Sequence, residues 1–287
     1  MKEKNKFSIL RNHKKDLKES TEREKIKTDF IFTISHELRT PLNIITNSTK
    51  LIKSKINKDA YEKELFLEQI NLIEKNSNRL LRLANNLIDV SKIESGFLDV
   101  SFKNENIVEV VEDTVMSAIN VAKSYGIELI FDTEHEYIIT AIDRNQIEKI
   151  ILNLISNSIK FTDFGGHIYV SIEIKNNNIL IKVKDDGIGM SEELINHMFE
   201  KFRKAKLYPY LERPIEGSGL GLYIVKGLVE KHNGIIDIKS EINKGTTVTI
   251  KLPQSFVDKQ NSNQNLMNIP LEYTSKIELS DIYKEYD

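Results

Sequence analysis

Within Phe30–Asn43 a histidine, a carboxylate and a hydroxyl stand at His36, Glu37 and Thr40. If this stretch is helical, at about 100° per residue, His36 lies on the side away from Ile31 and Leu38. An imidazole on a helix surface offers a ring-nitrogen lone pair near neutral pH, and such a lone pair is what attack on a phosphoryl group requires. Thr40, four residues on, shares the face one turn along, where its hydroxyl could hold a water beside a phosphorylated ring. Pro41 withdraws a backbone donor and crowds the preceding turn, so a bend is expected just past the histidine.

A second group of residues points to a bound polyphosphate. Asn153, Asn157 and Lys160 share one helix face, while Ile150, Ile151, Leu154 and Ile155 build the opposite, buried side. An amide oxygen can ligate Mg²⁺ and a lysine can meet phosphate oxygens, although a polar face on its own reads equally as a solvated one. Asp185-Asp186-Gly187-Ile188-Gly189 directly follows the apolar run Ile179–Val183. A carboxylate at a strand end can accept a hydrogen bond from an exocyclic amine, and Gly187 and Gly189 let backbone approach a flat base. The pentapeptide alone reads as well as an ordinary Asp-Gly turn. Gly217, Gly219 and Gly221 open a helix over Leu220–Lys231, where free N–H groups and the positive dipole end suit phosphate. A dinucleotide fingerprint does not fit, because no strand leads in and its third glycine is missing. Thr246 sits in a turn before the last strand. Between Gly189 and Gly217 lie 27 residues, 190 to 216, a connection long enough for a lid.

These groups need scaffolds. Leu10, Leu17, Ile31, Leu38, Ile45 and Ile52 fall on one seven-residue repeat, and Phe66, Ile73, Leu80 and Leu87 on another, accompanied by Ile70, Ser77, Ala84 and Ser91. Such spacing keeps one seam facing a partner helix. Asn57, Lys58 and Asp59 interrupt the first repeat and Gly96 ends the second, so an antiparallel hairpin is expected. Two hairpins bury what one leaves wet, which predicts a homodimeric four-helix bundle. From about Asn104, helices and short strands mix in an order that predicts an α+β sandwich, one sheet covered on one face by helices. The expected organisation is a lead-in over 1–28, a hairpin domain over 29–97, an α/β-sandwich domain over 104–254 and a polar tail over 255–287. For the tail, disorder and a short docking element around Ile277–Tyr283 are both open readings.

Composition narrows the class. The 287 residues hold 41 Lys+Arg against 43 Asp+Glu, a formal net charge of −2, which argues against a nucleic-acid binder working through a cationic surface. Without cysteine there is neither a disulfide framework nor a thiolate zinc site. No apolar run approaches bilayer length. A soluble, cytoplasmic chain with no membrane segment is therefore expected.

The string His36-Glu37-Leu38-Arg39-Thr40-Pro41 matches every core position of the histidine box of two-component sensor histidine kinases. The later segments are similar, in order and spacing, to the asparagine, glycine and phenylalanine boxes of that family's ATPase domain, shared more loosely with gyrase-type ATPases. The resemblance spans roughly residues 28–253. It implies that His36 accepts phosphate from ATP, that Glu37 is its general base, and that Thr40 assists a reverse phosphatase reaction. It also implies Asn157 on Mg²⁺ with Asn153 nearby, Lys160 on phosphates and Phe161 beside them. Asp185 would take the adenine amine between Gly187 and Gly189, and Gly217, Gly219, Gly221 and Thr246 would complete the nucleotide site. The partner implied is a response-regulator receiver domain, which takes the phosphoryl group on an aspartate. Where gyrase-type relatives carry a water-activating glutamate this chain has Asn153, which favours transfer to histidine over hydrolysis. At the lid the family's arginine position holds Lys204, a less geometrically specific phosphate partner. A phosphatase-dominant or non-catalytic regulatory homologue is the alternative.

Overall fold

The computed structural model describes residues 28, 31–56, 63–201, 218–258 and 269–282. Leu10, Leu17, Asn57–Asp59, Lys204 and Gly217 lie outside them. Two long helices come first: α1 over 31–56 and α2 over Lys63–Ser95. α1 runs unbroken through Pro41, so the bend expected there does not interrupt it. Glu37 of α1 borders the same pocket as Arg79, Arg82 and Asn86 of α2. The start of α1 thus lies against the C-terminal half of α2, and the pair is an antiparallel hairpin.

Phe66, Ile73, Leu80 and Leu87 of the expected seam are half-buried along α2. Ile70, Ser77, Ala84 and Ser91 are exposed, whereas the row one residue earlier, Gln69, Asn76, Leu83 and Val90, is buried. A one-residue step separates these two rows by about 100° around the helix. α2 meets α6 (Gly221–Lys231) and α7 (Leu271–Glu278), and its buried row includes polar side chains that an apolar pattern could not reveal. Asn76 is accommodated by donating from Nδ2 to Leu72 O at 2.7 Å. The exposed side keeps its own apolar stripe of Leu67, Ile70, Leu81 and Ile88.

Gly96, at φ +75°, ends α2 and leads into the second unit. Its elements are β1 (Lys103–Asn106), α3 (Ile107–Ser124), β2 (Glu128–Thr133), β3 (Ile139–Ile142) and α4 (Arg144–Phe161). Then follow β4 (His167–Lys175), β5 (Asn178–Asp185), α5 (Glu192–Ile195), α6 (Gly221–Lys231), β6 (Ile235–Glu241) and β7 (Gly245–Pro253). The main sheet has the order β2-β4-β5-β7-β6, with β2 parallel to β4 and the other pairs antiparallel. β1, a Lys-Asn-Glu-Asn segment without apolar alternation, is held as a strand by its antiparallel pairing with β3.

Alternation decides which side of the sheet is covered. Ile168, Val170 and Ile172 of β4, Ile179, Ile181 and Val183 of β5, and Ile250 and Leu252 of β7 are buried. They pack against Val111, Val115, Ile151, Ile155, Ile224 and Leu228 of α3, α4 and α6 in one core. The other face carries Tyr169, Glu173 and Lys182, with Lys182 Nζ 2.6 Å from Glu173 Oε1. This is the expected sandwich, helices on one side only. α4 starts at Asp143, whose carboxylate accepts from Gln146 N at 3.3 Å and Ser101 N at 2.9 Å, a cap that answers otherwise unpaired helix donors.

Within the polar tail, residues 269–282 are described, and they hold a helix and a turn. α7 (Leu271–Glu278) and the turn through Ile282 pack against α2, α3 and α4. Ile277, Leu279 and Ile282 are buried, and Leu279 and Ile282 join the main core. Glu278 and Ser280 are also buried.

Candidate active site

Asp185 ends β5 and is almost fully buried. Its Oδ1 accepts from Gly187 N and Thr246 N, each at 3.1 Å, and its Oδ2 accepts from the Ser158 hydroxyl at 3.1 Å. Burial pushes its pKa up, while the donors from Gly187, Ser158 and Thr246 pull the other way. Each carboxylate oxygen has two lone pairs, so Oδ2 retains acceptor capacity. Ser158 was not singled out from the sequence; a hydroxyl amid Ile151, Leu154, Ile155 and Ile159 was the available signal.

The glycines beside Asp185 are demanded by the protein's own backbone. A Cβ on Gly187 would sit 2.2 Å from Phe161 O, and one on Gly189, at φ +64°, would sit 1.9 Å from Glu241 O. The Phe161 carbonyl also accepts from Ile188 N at 3.1 Å. Phe161, Asp185, Gly187 and Gly189 are thereby locked into one rigid corner at the end of α4. Base approach, the role expected of these glycines, is a further use of space that the packing already keeps free of side chains.

Asn153, Asn157 and Lys160 lie along α4 at the mouth of this corner. Asn153 is buried, and its Nδ2 donates to Lys149 O at 2.9 Å and to Glu278 Oε2 at 3.2 Å. Its Oδ1 accepts from Arg82 Nη2 at 3.4 Å. Lys160 Nζ donates to Asp281 Oδ2 at 3.2 Å, and burial lowers the lysine's pKa while the Asp281 charge opposes that. Asn157 is half-buried on the same face. Gly221 closes the site from above, since a Cβ there would meet Asn153 Oδ1 at 2.8 Å. The glycine-rich turn, with Gly219 at φ +70°, therefore faces the asparagines of α4.

The helical hairpin supplies the remaining parts. His36 and Thr40 are exposed, and the Thr40 hydroxyl donates to His36 O at 3.4 Å, one turn back, rather than reaching the ring. Glu37 is half-buried and points elsewhere, into the pocket bordered by Arg79, Arg82 and Asn86 of α2, Ser218 of the glycine turn, and Asp281. Arg79 and Arg82 were not singled out from the sequence. Arg82 is buried and binds Glu278 Oε2 at 3.1 Å and Asp281 Oδ2 at 2.7 Å, with Arg79 Nε 3.6 Å from Asp281 Oδ1.

The expected nucleotide residues within the described part thus converge, from α4, the β5 corner, the glycine turn and the turn before β7. Glu37, the neighbour of the hairpin histidine, shares a pocket with Ser218 of the glycine turn. A buried carboxylate at the closed end, amides and a lysine along α4, and glycine backbone over them make a set that suits a purine nucleotide with its phosphates toward α2. Hard oxygen donors, an Asn157 amide together with phosphate, would suit Mg²⁺.

Known families match both halves. The His Kinase A (phospho-acceptor) domain matches residues 26–96, and the histidine kinase-, DNA gyrase B- and HSP90-like ATPase domain matches residues 142–255. The chain therefore carries two domains of the histidine kinases, the phospho-acceptor domain and the ATPase domain. Sensor protein SrrB of Staphylococcus aureus is 31% identical over 231 residues, covering 80% of this chain and 39% of SrrB. The chain spans well under half the length of such curated relatives. Full-length ShkA in complex with AMPPNP superposes with a TM-score of 0.60 at 22% identity, covering 78% of this chain and 45% of that one. Histidine kinase ThkA in complex with response regulator protein TrrA gives 0.56 at 23% identity, covering 82% and 64%. These two likenesses are of fold. Among the described residues no helix is long and apolar enough to cross a membrane.

Proposed function

We propose that the chain uses ATP to phosphorylate its own His36 and passes the phosphoryl group to an aspartate of a response-regulator receiver domain. The observation that carries this reading is the shared pocket: Glu37, next to the acceptor histidine, and Ser218, in the glycine turn, border one space. An acceptor helix and a nucleotide loop meet there, as a transfer between them requires.

In the proposed reaction, Asp185 accepts from the adenine amine and fixes the base in the Phe161–Gly187–Gly189 corner. Lys160 and the backbone around Gly219 and Gly221 hold the phosphates, and Asn157, aided by Asn153, holds Mg²⁺. When bound, Mg²⁺ supplies charge neutralisation on the phosphate oxygens. An imidazole nitrogen of His36 forms the new N–P bond as the bond from the γ-phosphorus to the bridging oxygen breaks, and ADP leaves. Glu37 takes the proton from the ring once its side chain has turned out of the pocket that it borders here. Catalysis is mainly positioning. Thr40, one turn beyond His36, serves the reverse removal of phosphate from the regulator.

A homodimer supports the same reading, because the stripe Leu67, Ile70, Leu81 and Ile88 remains exposed in the single chain and suits a second hairpin. The relative ThkA, solved with its regulator, supports the receiver domain as partner, and ShkA with AMPPNP supports ATP. The test is incubation with γ-labelled ATP and Mg²⁺, comparing wild type with His36→Gln. Acid-labile, base-stable label lost in the variant is the expected result. Label that persists in the variant sinks the assignment of His36.

A further inference from the structure

The most unusual feature of the site is what fills its phosphate end. Four cationic side chains converge there: Arg79 and Arg82 from α2, and Lys149 and Lys160 from α4. Two carboxylates from the C-terminal segment enter among them. Asp281 meets Lys160 at 3.2 Å, Arg82 at 2.7 Å and Arg79 at 3.6 Å. Glu278 meets Arg82 at 3.1 Å, Lys149 at 3.5 Å and the Asn153 amide at 3.2 Å.

We propose that the C-terminal segment around α7 is an autoinhibitory plug, in which Glu278 and Asp281 occupy the subsite that nucleotide phosphates must take. This rests on the nucleotide reading above. Three independent features support it. The bonded groups are those assigned to the nucleotide, since Lys160 and Asn153 each hold a tail carboxylate. A triphosphate brought to Lys160 would set its charge against an aspartate held ionised: burial alone would raise the Asp281 pKa, but Arg82, Lys160 and Arg79 bring it to about 2. Asp281 also borders the pocket between Glu37 and Ser218, the route by which a phosphoryl group would reach His36.

The segment is seated rather than merely attracted. Ile277, Leu279 and Ile282 are buried among α2, α3 and α4, so the carboxylates are delivered at fixed positions. By touching α2 and α4 together, the plug also ties the catalytic unit to the hairpin. Release of one segment would therefore open the phosphate end and remove one of the contacts that join the two units. A plug that leaves the site open for only a fraction of the time weakens apparent nucleotide affinity by that fraction.

The experiment measures AMPPNP–Mg²⁺ binding by calorimetry on the full chain and on Glu278→Gln/Asp281→Asn. The expected result is affinity about tenfold or more tighter in the variant, corresponding to a site open about a tenth of the time in wild type. Equal affinities would overturn the plug and leave the nucleotide site standing. Weaker binding by the variant would also overturn it and assign the carboxylates to metal or nucleotide support. Binding by neither protein would overturn the nucleotide reading and the plug with it. Should the variant misfold, hydrogen exchange on wild type decides: amides of 271–282 are expected to lose protection when AMPPNP–Mg²⁺ is added. Protection that stays constant or rises under saturating nucleotide would refute the plug.

Discussion

The Ser158 hydroxyl donates to Asp185 Oδ2 at 3.1 Å, so the helix that carries the amides and lysine also orients the carboxylate at the far end of the site. Removing that donor leaves a buried carboxylate less satisfied, at a cost of about 1.5–3 kcal/mol for a bond to a charged group. Ser158→Ala is expected to raise the Asp185 pKa further and weaken ATP binding by about tenfold. Asp185→Asn, which turns an acceptor into a partial donor, should abolish it. Titration calorimetry checks both.

Gly187 packs on the Phe161 carbonyl with no room for a Cβ. Gly187→Ala must push the β5 corner away from α4 and strain the Ile188–Phe161 hydrogen bond. A loss of about 1–3 kcal/mol in folding stability is expected, read from the denaturant midpoint. An unchanged midpoint would show that the corner yields freely.

Glu148 gives the stability a pH dependence of defined sign. Burial pushes its pKa from 4.5 to about 7, against the pull of the Arg144 charge. The folded chain therefore keeps a proton that the unfolded chain releases between these values. Stability attributable to this group falls as pH rises through that window, and the loss is complete above about 7. Glu148→Gln should flatten this slope, gaining about 2–3 kcal/mol relative to wild type at pH 8 and little at pH 4. Thermal unfolding across pH 4–8 tests it, and parallel curves for the two proteins would rule it out.

Much of this was legible because apolar spacing and glycine positions are local. The α4 face, the strand-to-glycine corner and the one-sided alternation of β4 and β5 could each be read within a short window. What could not be read arises from contacts distant in sequence. Arg82 looks like any solvated helix arginine until Glu278 and Asp281 arrive from nearly two hundred residues away. Asn76 and Gln69 are polar, so the buried row they occupy carried no apolar signal. β1 is a strand only because β3 pairs with it. Glu37 and His36 stay on different faces, as adjacent helical residues must.

The exposed stripe of α2 yields a prediction about assembly. Leu81→Glu/Ile88→Glu places charges on the face assigned to a second hairpin and is expected to convert dimers to monomers in light scattering. Wild type that is already monomeric at micromolar concentration would remove the dimer from the proposal.

The docked tail has a consequence for how the site would weigh its occupants. A competitor carried on the same chain has a fixed local concentration, set by the length of the chain that tethers it. Dilution cannot relieve it, and raising the amount of protein cannot strengthen it. Such a chain would compare nucleotide supply with an internal standard, and its threshold would be written in tether length and in the seating of Leu279 and Ile282. Shortening or lengthening that tether would then retune the threshold without altering a single residue that touches ATP.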